Sequence, residues 1–279
     1  MQNAEKVQIC VQSLKNKFPP SFSPLAGLVL GTGLGDLAGA FEERISVPYA
    51  DLPGFPLSGV VSHASCFAAG YFAGVPVLAQ GGRCHLYEGR TPGEVCMGVR
   101  VMAGLGISAL IVTNAAGALN PQFNAGGLML VTDHVNLTGC SSLTGLAQEE
   151  GVFIDMGGAY DAAFARLAGE AALRLALRLE KGVYVGVAGP QFETGAETRF
   201  YRLIGGDAVG MSSVLEVIAA RHLGLRVLAL SCLTNKNLPD CTEKADIEDI
   251  VRVAGQCGAS LERLLRALLP DLAAECGGS

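Results

Sequence analysis

Ala26-Gly27-Leu28-Val29-Leu30-Gly31-Thr32-Gly33-Leu34-Gly35-Asp36 is the stretch on which the fold turns. Its first five residues are small or apolar without interruption, the pattern of a short strand buried on both faces. Glycines at 31, 33 and 35 follow at once. A strand running into a glycine-rich turn offers successive backbone N–H groups as a nest for an anion, and Thr32 adds a hydroxyl donor. The same residues also suit a plain strand-to-helix turn. A dinucleotide fingerprint, G-x-G-x-x-G, needs Gly or Ala at position 36, where Asp36 stands. A nucleotide-binding oxidoreductase domain therefore remains only a distant alternative.

Outward from this stretch the chain alternates. Similar apolar runs at 75–80, 109–113, 128–132, 183–188 and 225–231 predict strands. Helical patterns occupy 4–17, 92–105, 162–179, 195–203 and 214–222. A last helix opens at Ile247 and carries an apolar stripe at steps of three and four to Leu268. Thr91-Pro92-Gly93-Glu94 has the spacing of a capping box, with Pro at the first helical position. Ser213-Val214-Leu215-Glu216 repeats the S-x-x-E spacing. Strands alternating with helices predict an α/β sheet with parallel segments. Residues 138–158 lack pattern and read as a long loop.

Composition narrows the class. The 279 residues are 50% hydrophobic and 16% charged, enough apolar material for one large α/β domain spanning 1–279. The net charge is −6 and no basic run is present, which argues against nucleic acid as a partner. No stretch of 18 apolar residues occurs, so no transmembrane helix is expected. The N-terminus lacks the apolar core of a secretory signal, which makes a cytoplasmic location the default expectation. Nine scattered cysteines without C-x-x-C spacing argue against zinc sites and disulfide frameworks.

The polar residues that could do chemistry stand in short glycine-flanked clusters. In Gly81-Gly82-Arg83-Cys84-His85-Leu86-Tyr87-Glu88-Gly89, an extended backbone would place Arg83, His85 and Tyr87 on one face. Together they could grip an oxyanion and a hydroxylated ring; a hairpin with a polar outer face fits equally. Cys84 and Leu86 would then point into the core, and Glu88 would support Arg83 or a histidine. Thr113-Asn114-Ala115-Ala116-Gly117 ends a strand with small residues that let a ligand approach the backbone. Phe192 and Glu193 offer a flat apolar face beside an acceptor, a pairing suited to a heteroaromatic ring with an N–H edge. Ser212, after Gly210 and Met211, sits near a helix N-terminus, where an anion is favoured. Asn235 offers both a donor and an acceptor. His63, His134 and His222 form no metal-ligand spacing, and neither G-x-S-x-G nor H-E-x-x-H occurs.

In order and spacing, GTGLG, GRCHLYEG, TNAAG, TDHVNL, GPQFET, DAVGMSSVLEV and TNK together resemble the trimeric purine nucleoside phosphorylases, from about residue 26 to about 268. The resemblance implies a single α/β domain with a mixed, partly barrel-like sheet flanked by helices. It implies reversible phosphorolysis of 6-oxopurine (deoxy)ribonucleosides to free base and (deoxy)ribose 1-phosphate, a purine salvage reaction. Inorganic phosphate is the co-substrate, with no metal or organic cofactor, in a cytoplasmic homotrimer. Catalytic roles fall on Asn235, Glu193 and His85. Phosphate would be held by Thr32, Arg83, His85, Ala115 and Ser212, with His63 nearby. Tyr87 and Met211 would line the ribose, and Phe153 would reach a neighbouring subunit's site. Ala115, Phe192, Glu193, Val209, Gly210 and Asn235 would hold the purine. Asn235 matches the 6-oxopurine enzymes, whereas the related methylthioadenosine phosphorylases carry Asp. One position departs: Ile247 stands where the mammalian-type enzymes have a histidine that contacts the 5′-hydroxyl. Either Ile247 simply begins the apolar stripe of its helix, or the pocket tolerates 5′-deoxy and 5′-alkylthio nucleosides. The latter leaves a methylthioinosine or methylthioadenosine phosphorylase as the alternative within the family.

Overall fold

A computed structural model describes residues 3–59, 64–146, 152–240 and 246–277. Its strands are β1 (Ala26–Leu30), β2 (Glu42–Pro48), β3 (Cys66–Phe72), β4 (Val75–Gly81), β5 (Ala109–Ala118), β6 (Leu128–Asn136), β7 (Leu179–Gly186), β8 (Ala208–Gly210) and β9 (Arg226–Lys236). Its helices are α1 (Asn3–Lys17), α2 (Pro92–Val95), α3 (Met97–Gly104), α4 (Ala162–Arg174), α5 (Gly195–Leu203), α6 (Val214–His222) and α7 (Ile247–Gly277).

All nine strands belong to one sheet in the order β2-β3-β4-β1-β5-β8-β7-β6-β9, and β9 returns to pair with β5. The ring β5-β8-β7-β6-β9 is therefore closed, while β1, β4, β3 and β2 fan out from it. This is the mixed, partly barrel-like α/β architecture that was expected. Parallel pairs join β1 to β4 and β5, β5 to β9, and β7 to β6 and β8.

β5 explains where the site lies. Its first half pairs with β1, Ala109–Val112 against Ala26–Val29. Its far end pairs instead with β8, Gly117 and Ala118 against Val209 and Ala208. Between these two partners, Thr113 to Ala116 are paired only on the other edge, to β9. The sheet opens there, at a topological switch point at the end of β1. Thr113 closes the near side: its hydroxyl donates to Val29 O (2.8 Å) and accepts from the Gly31 N–H (3.3 Å). Gly31 is required, because a Cβ there would sit 2.9 Å from both Thr113 O and Asn114 Cα.

Alternation along the strands builds the two halves of the core. Val29, Leu110 and Val112 join the cluster that packs α1, α3 and α6. Leu28, Leu30 and Ile111 face the other way, into the cluster with α4 and α7. The buried stripe of α7 runs from Ala254 to Leu272.

Several expected boundaries move. β5 and β6 run on past the predicted ends at 113 and 132, and β2, β3 and β8 were not expected. The predicted helix 92–105 breaks at Cys96 into α2 and α3, with the Thr91/Glu94 capping box in place. The predicted helix 162–179 stops at Arg174. Ala176 takes a left-handed φ of 49°. Its N–H donates to Leu173 O and that of Leu177 to Ala172 O, a Schellman closure. Between β6 and α4 the described residues form neither helix nor strand, as the lack of pattern implied. No helix of the described residues is long and apolar enough to cross a membrane.

Candidate active site

A cavity of about 450 Å³ occupies the gap where β1 and β8 part along β5. Thr32 enters it from the turn after β1, and Arg83, His85 and Tyr87 from the segment after β4. Ala115 lines it from β5, and Phe192 and Glu193 from the loop after β7. Val209, Gly210, Met211 and Ser212 contribute from β8 and its following turn, and Asn235 from β9. Segments far apart in sequence thus meet as expected. Two expected residues are not placed in this cavity. His63 lies outside the described residues. Phe153 is 93% exposed and is not part of this chain's cavity wall.

At one end sits Arg83, only 1% exposed. Its Nη1 donates to Glu216 Oε2 (2.7 Å) and to Ser213 Oγ (3.3 Å). Its Nη2 donates to the carbonyls of Thr113 and Val29. Burial raises the Glu216 carboxyl and the guanidinium opposes that rise. Arg83 is therefore a fixed, charge-balanced cation rather than a loose one. The S-x-x-E at 213–216 is consequently not a capping box. Ser213 makes no side-chain cap bond to α6; its Oγ instead accepts from Arg83 and from Asn114 Nδ2 (2.9 Å). Ser213 has φ 70° and ψ −47°, and the Val214 N–H donates to Ser212 O (2.8 Å), which makes a γ-turn. This strained turn sets Ser212 at the N-terminus of α6, on the cavity wall.

His85 and Tyr87 reach the cavity differently from the expected extended strand. The backbone is extended at His85, but Leu86–Glu88 form a 3-10 turn. The Tyr87 ring stacks on His85, centroids 4.7 Å apart and planes 13° apart. Burial pushes the Tyr87 hydroxyl up to about 12, so it stays a neutral donor and acceptor. Glu88 proves to be the histidine's partner: Oε1 lies 3.1 Å from Nδ1 and accepts from the His85 N–H (2.7 Å). Burial alone would raise Glu88, but the Gly59 and His85 amides and the imidazole outweigh it and hold the carboxyl below its ordinary range. Such an acceptor at Nδ1 draws the ring proton there and fixes the imidazole's orientation. Cys84 is buried and Leu86 packs on the core, as expected.

The other end is flat and amphipathic. Phe192 lies beside Glu193, whose Oε2 accepts from Asn237 Nδ2 (2.6 Å). Burial raises the Glu193 carboxyl, and the Asn237 bond only partly offsets it. The Thr234 hydroxyl donates to Asn235 Oδ1 (3.0 Å). Gly117 lies against that amide, with a Cβ position there in ordinary contact at 3.4 Å from Asn235 Nδ2. Ile247 and Ile250, one turn apart at the start of α7, supply an apolar wall. Ile247 is 60% exposed and so does not begin the buried stripe, which starts at Ala254.

Sequence reading missed Asn114, Ser213 and Glu216 around Arg83, and Tyr184, whose hydroxyl accepts from the Ser212 N–H (3.4 Å). It also missed Asn237, although its spacing of two from Asn235 put both on one face of an extended segment. Among the described residues, no three His, Cys, Asp or Glu side chains gather as a metal site.

An anion cradle at one end and a recognition edge for a planar ring at the other, within one cavity, suit a substrate that joins the two. Comparison with known proteins agrees. The sequence matches the phosphorylase superfamily over residues 26–270. It is 42% identical to purine nucleoside phosphorylase 1 of Bacillus subtilis (strain 168), covering 95% of this chain and 98% of that one. It is 40% identical to the purine nucleoside phosphorylase of Bos taurus, covering 89% of each. The fold superposes on a Schistosoma mansoni purine nucleoside phosphorylase solved with inosine, with a TM-score of 0.88, 31% identity and 95% of each chain covered. The chain therefore belongs to the purine nucleoside phosphorylase family of the phosphorylase superfamily.

Proposed function

We propose that this protein catalyses the reversible phosphorolysis of 6-oxopurine nucleosides such as inosine and guanosine, yielding free base and (deoxy)ribose 1-phosphate. The observation that carries the reading is the joining of the Arg83–Ser212 end to the Glu193–Asn235 end in one cavity.

Breaking the N-glycosidic bond leaves positive charge on the sugar and an electron pair on the purine. A phosphate oxygen forms the new bond to C1′ as the bond to N9 breaks. Thr32, His85, the Ala115 backbone and Ser212 would hold the phosphate, with the buried Arg83 in the wall behind them and the N-terminus of α6 favouring its charge. Holding a dianion beside the developing cation is a proximity and electrostatic effect. Asn235 would donate to purine N7 as charge gathers there, and Glu193 would accept from N1–H, with the ring on Phe192. Tyr87 and Met211 would border the ribose.

Three further properties go with this reading. Phosphate is the only co-substrate and no cofactor takes part. The assembly is a homotrimer in which Phe153 completes a neighbouring subunit's site; its near-complete exposure supports this, and light scattering in solution tests it. The protein is cytoplasmic.

One observation favours a broader sugar specificity. Ile247 and Ile250 give the cavity an apolar wall from α7, so 5′-deoxy and 5′-alkylthio inosines are substrates as well. The base preference is tested by incubating inosine, guanosine, xanthosine and adenosine with phosphate and following free base. Inosine and guanosine should be cleaved fastest; adenosine cleaved as fast as inosine would contradict the assignment of Glu193 and Asn235.

A further inference from the structure

Asn237 lines the cavity beside Glu193 and is held at three points. Its main-chain N–H donates to Ala118 O (2.8 Å). Its Oδ1 accepts from Thr198 Oγ1 (3.1 Å), a hydroxyl on α5 whose residue is 1% exposed. Its Nδ2 donates to Glu193 Oε2 (2.6 Å). Reversing the amide would set Oδ1 against a carboxylate and Nδ2 against the hydroxyl, losing a short charge-assisted bond. The carboxylate therefore sets which way the amide faces, and Thr198 holds the amide in place beside it.

We propose that Asn237 is a positioning residue that keeps Glu193 a hydrogen-bond acceptor and so confines the purine site to bases carrying a hydrogen at N1. The inference rests on the function proposed above and names what maintains its base preference. A 6-oxopurine carries N1–H and needs an acceptor there. Adenine presents a lone pair at N1 and needs a donor, which a protonated Glu193 would supply. Burial favours the neutral acid, and Glu197 on α5 adds a like charge. Tyr201, on the same helix, is itself raised by burial and by Glu197 and Glu193, so its hydroxyl stays neutral. Against these stand the main-chain N–H of Glu193 and the side chain of Asn237. Without the Asn237 donor, the acid form persists to higher pH and the site acquires the donor that adenine needs.

The test compares kcat/KM for inosine and adenosine, from pH 5 to 9 with phosphate, in the unaltered enzyme, Asn237→Leu and Thr198→Val. Asn237→Leu keeps the volume and removes the donor; Thr198→Val leaves Asn237 in place and unfixes its amide. Both should raise the adenosine-to-inosine ratio, by about tenfold for Asn237→Leu, the usual effect of losing one hydrogen bond to a charged group. Both should also move the acid limb of the inosine profile to higher pH. Melting temperature and the KM for phosphate report folding and the distant end of the site, and should change little. Lower inosine turnover with an unchanged ratio and an unmoved limb, in folded variants of an enzyme that cleaves inosine with phosphate, would overturn the role of Asn237 alone. Absence of phosphate-dependent cleavage by the unaltered enzyme would overturn the proposed function, and this inference with it.

Discussion

Asn235 is the residue on which departure of the base would depend in the proposed reaction. Its amide faces the cavity beside Gly117, with Oδ1 accepting from Thr234. An amide can serve N7 and O6 of a 6-oxopurine, whereas a carboxylate accepts better from a 6-amino group. Asn235→Asp should therefore raise adenosine turnover relative to inosine; an unchanged ratio contradicts the assignment. Asn235→Ala should cost about 10²–10³ in kcat for inosine, the usual loss for one donor to developing charge. Arg83 behaves differently, because folding depends on it too. Arg83→Met would strand the buried Glu216 carboxylate without its cation, a loss of about 3–5 kcal/mol. A lowered melting temperature should accompany lost activity, and an unchanged one would show that the ion pair matters little. Arg83 was legible in the sequence as a residue of the candidate cavity. Its partners were not, because Ser213 and Glu216 satisfy a local helix-start pattern so well that nothing in the spacing shows they serve a residue 130 positions away.

β5 is the element that makes the site, by changing neighbours from β1 to β8. Gly31→Ala would drive a methyl group against the β5 backbone at Thr113 and Asn114. Overpacking of this kind costs about 1–3 kcal/mol, so activity and melting temperature should fall together; a variant that melts unchanged contradicts the close approach. The start of α7 offers a separate test. Ile247→His would add a donor to the apolar wall and should raise the preference for inosine over 5′-deoxyinosine. A strong preference for inosine already present in the unaltered protein would remove the tolerant-wall reading. At this scale the sequence was legible where patterns were strong: β1, α5 and α6 match their expected limits. It failed where small residues mask the period. TNAAGA in β5 reads as a turn, and CFAAGYF in β3 shows no alternation. β8 has only three residues and takes its form from its partners β5 and β7. The end of α4 was hidden because alanine, not glycine, holds its left-handed closing position.

Over the whole molecule, one cluster ties distant parts together. Arg226 on β9 makes a two-pronged bond to Asp161 (2.7 and 3.1 Å) and reaches Glu275 near the end of α7 (3.2 Å). Asp161 also caps α4 by accepting from the Phe164 N–H (3.0 Å). Burial would raise its carboxyl, but the Arg226 bonds and the cap outweigh it and hold it below the ordinary range. A lowered carboxyl contributes stability above its unfolded pKa and loses it as pH falls through the folded value. Asp161→Asn should therefore melt lower than the unaltered protein at neutral pH, and the gap should close as the pH drops below about 4. A gap independent of pH would contradict the pairing. The cluster lies away from the cavity wall, so inosine turnover at neutral pH should survive in the folded variant.

The proposed reaction uses both ends of the cavity, and the fate of phosphate reports on it most directly. Phosphorus NMR of the protein with inosine and inorganic phosphate should show ribose 1-phosphate accumulating in step with hypoxanthine, and no base released when phosphate is left out. Hypoxanthine appearing with free ribose, at a rate independent of phosphate, would contradict the account.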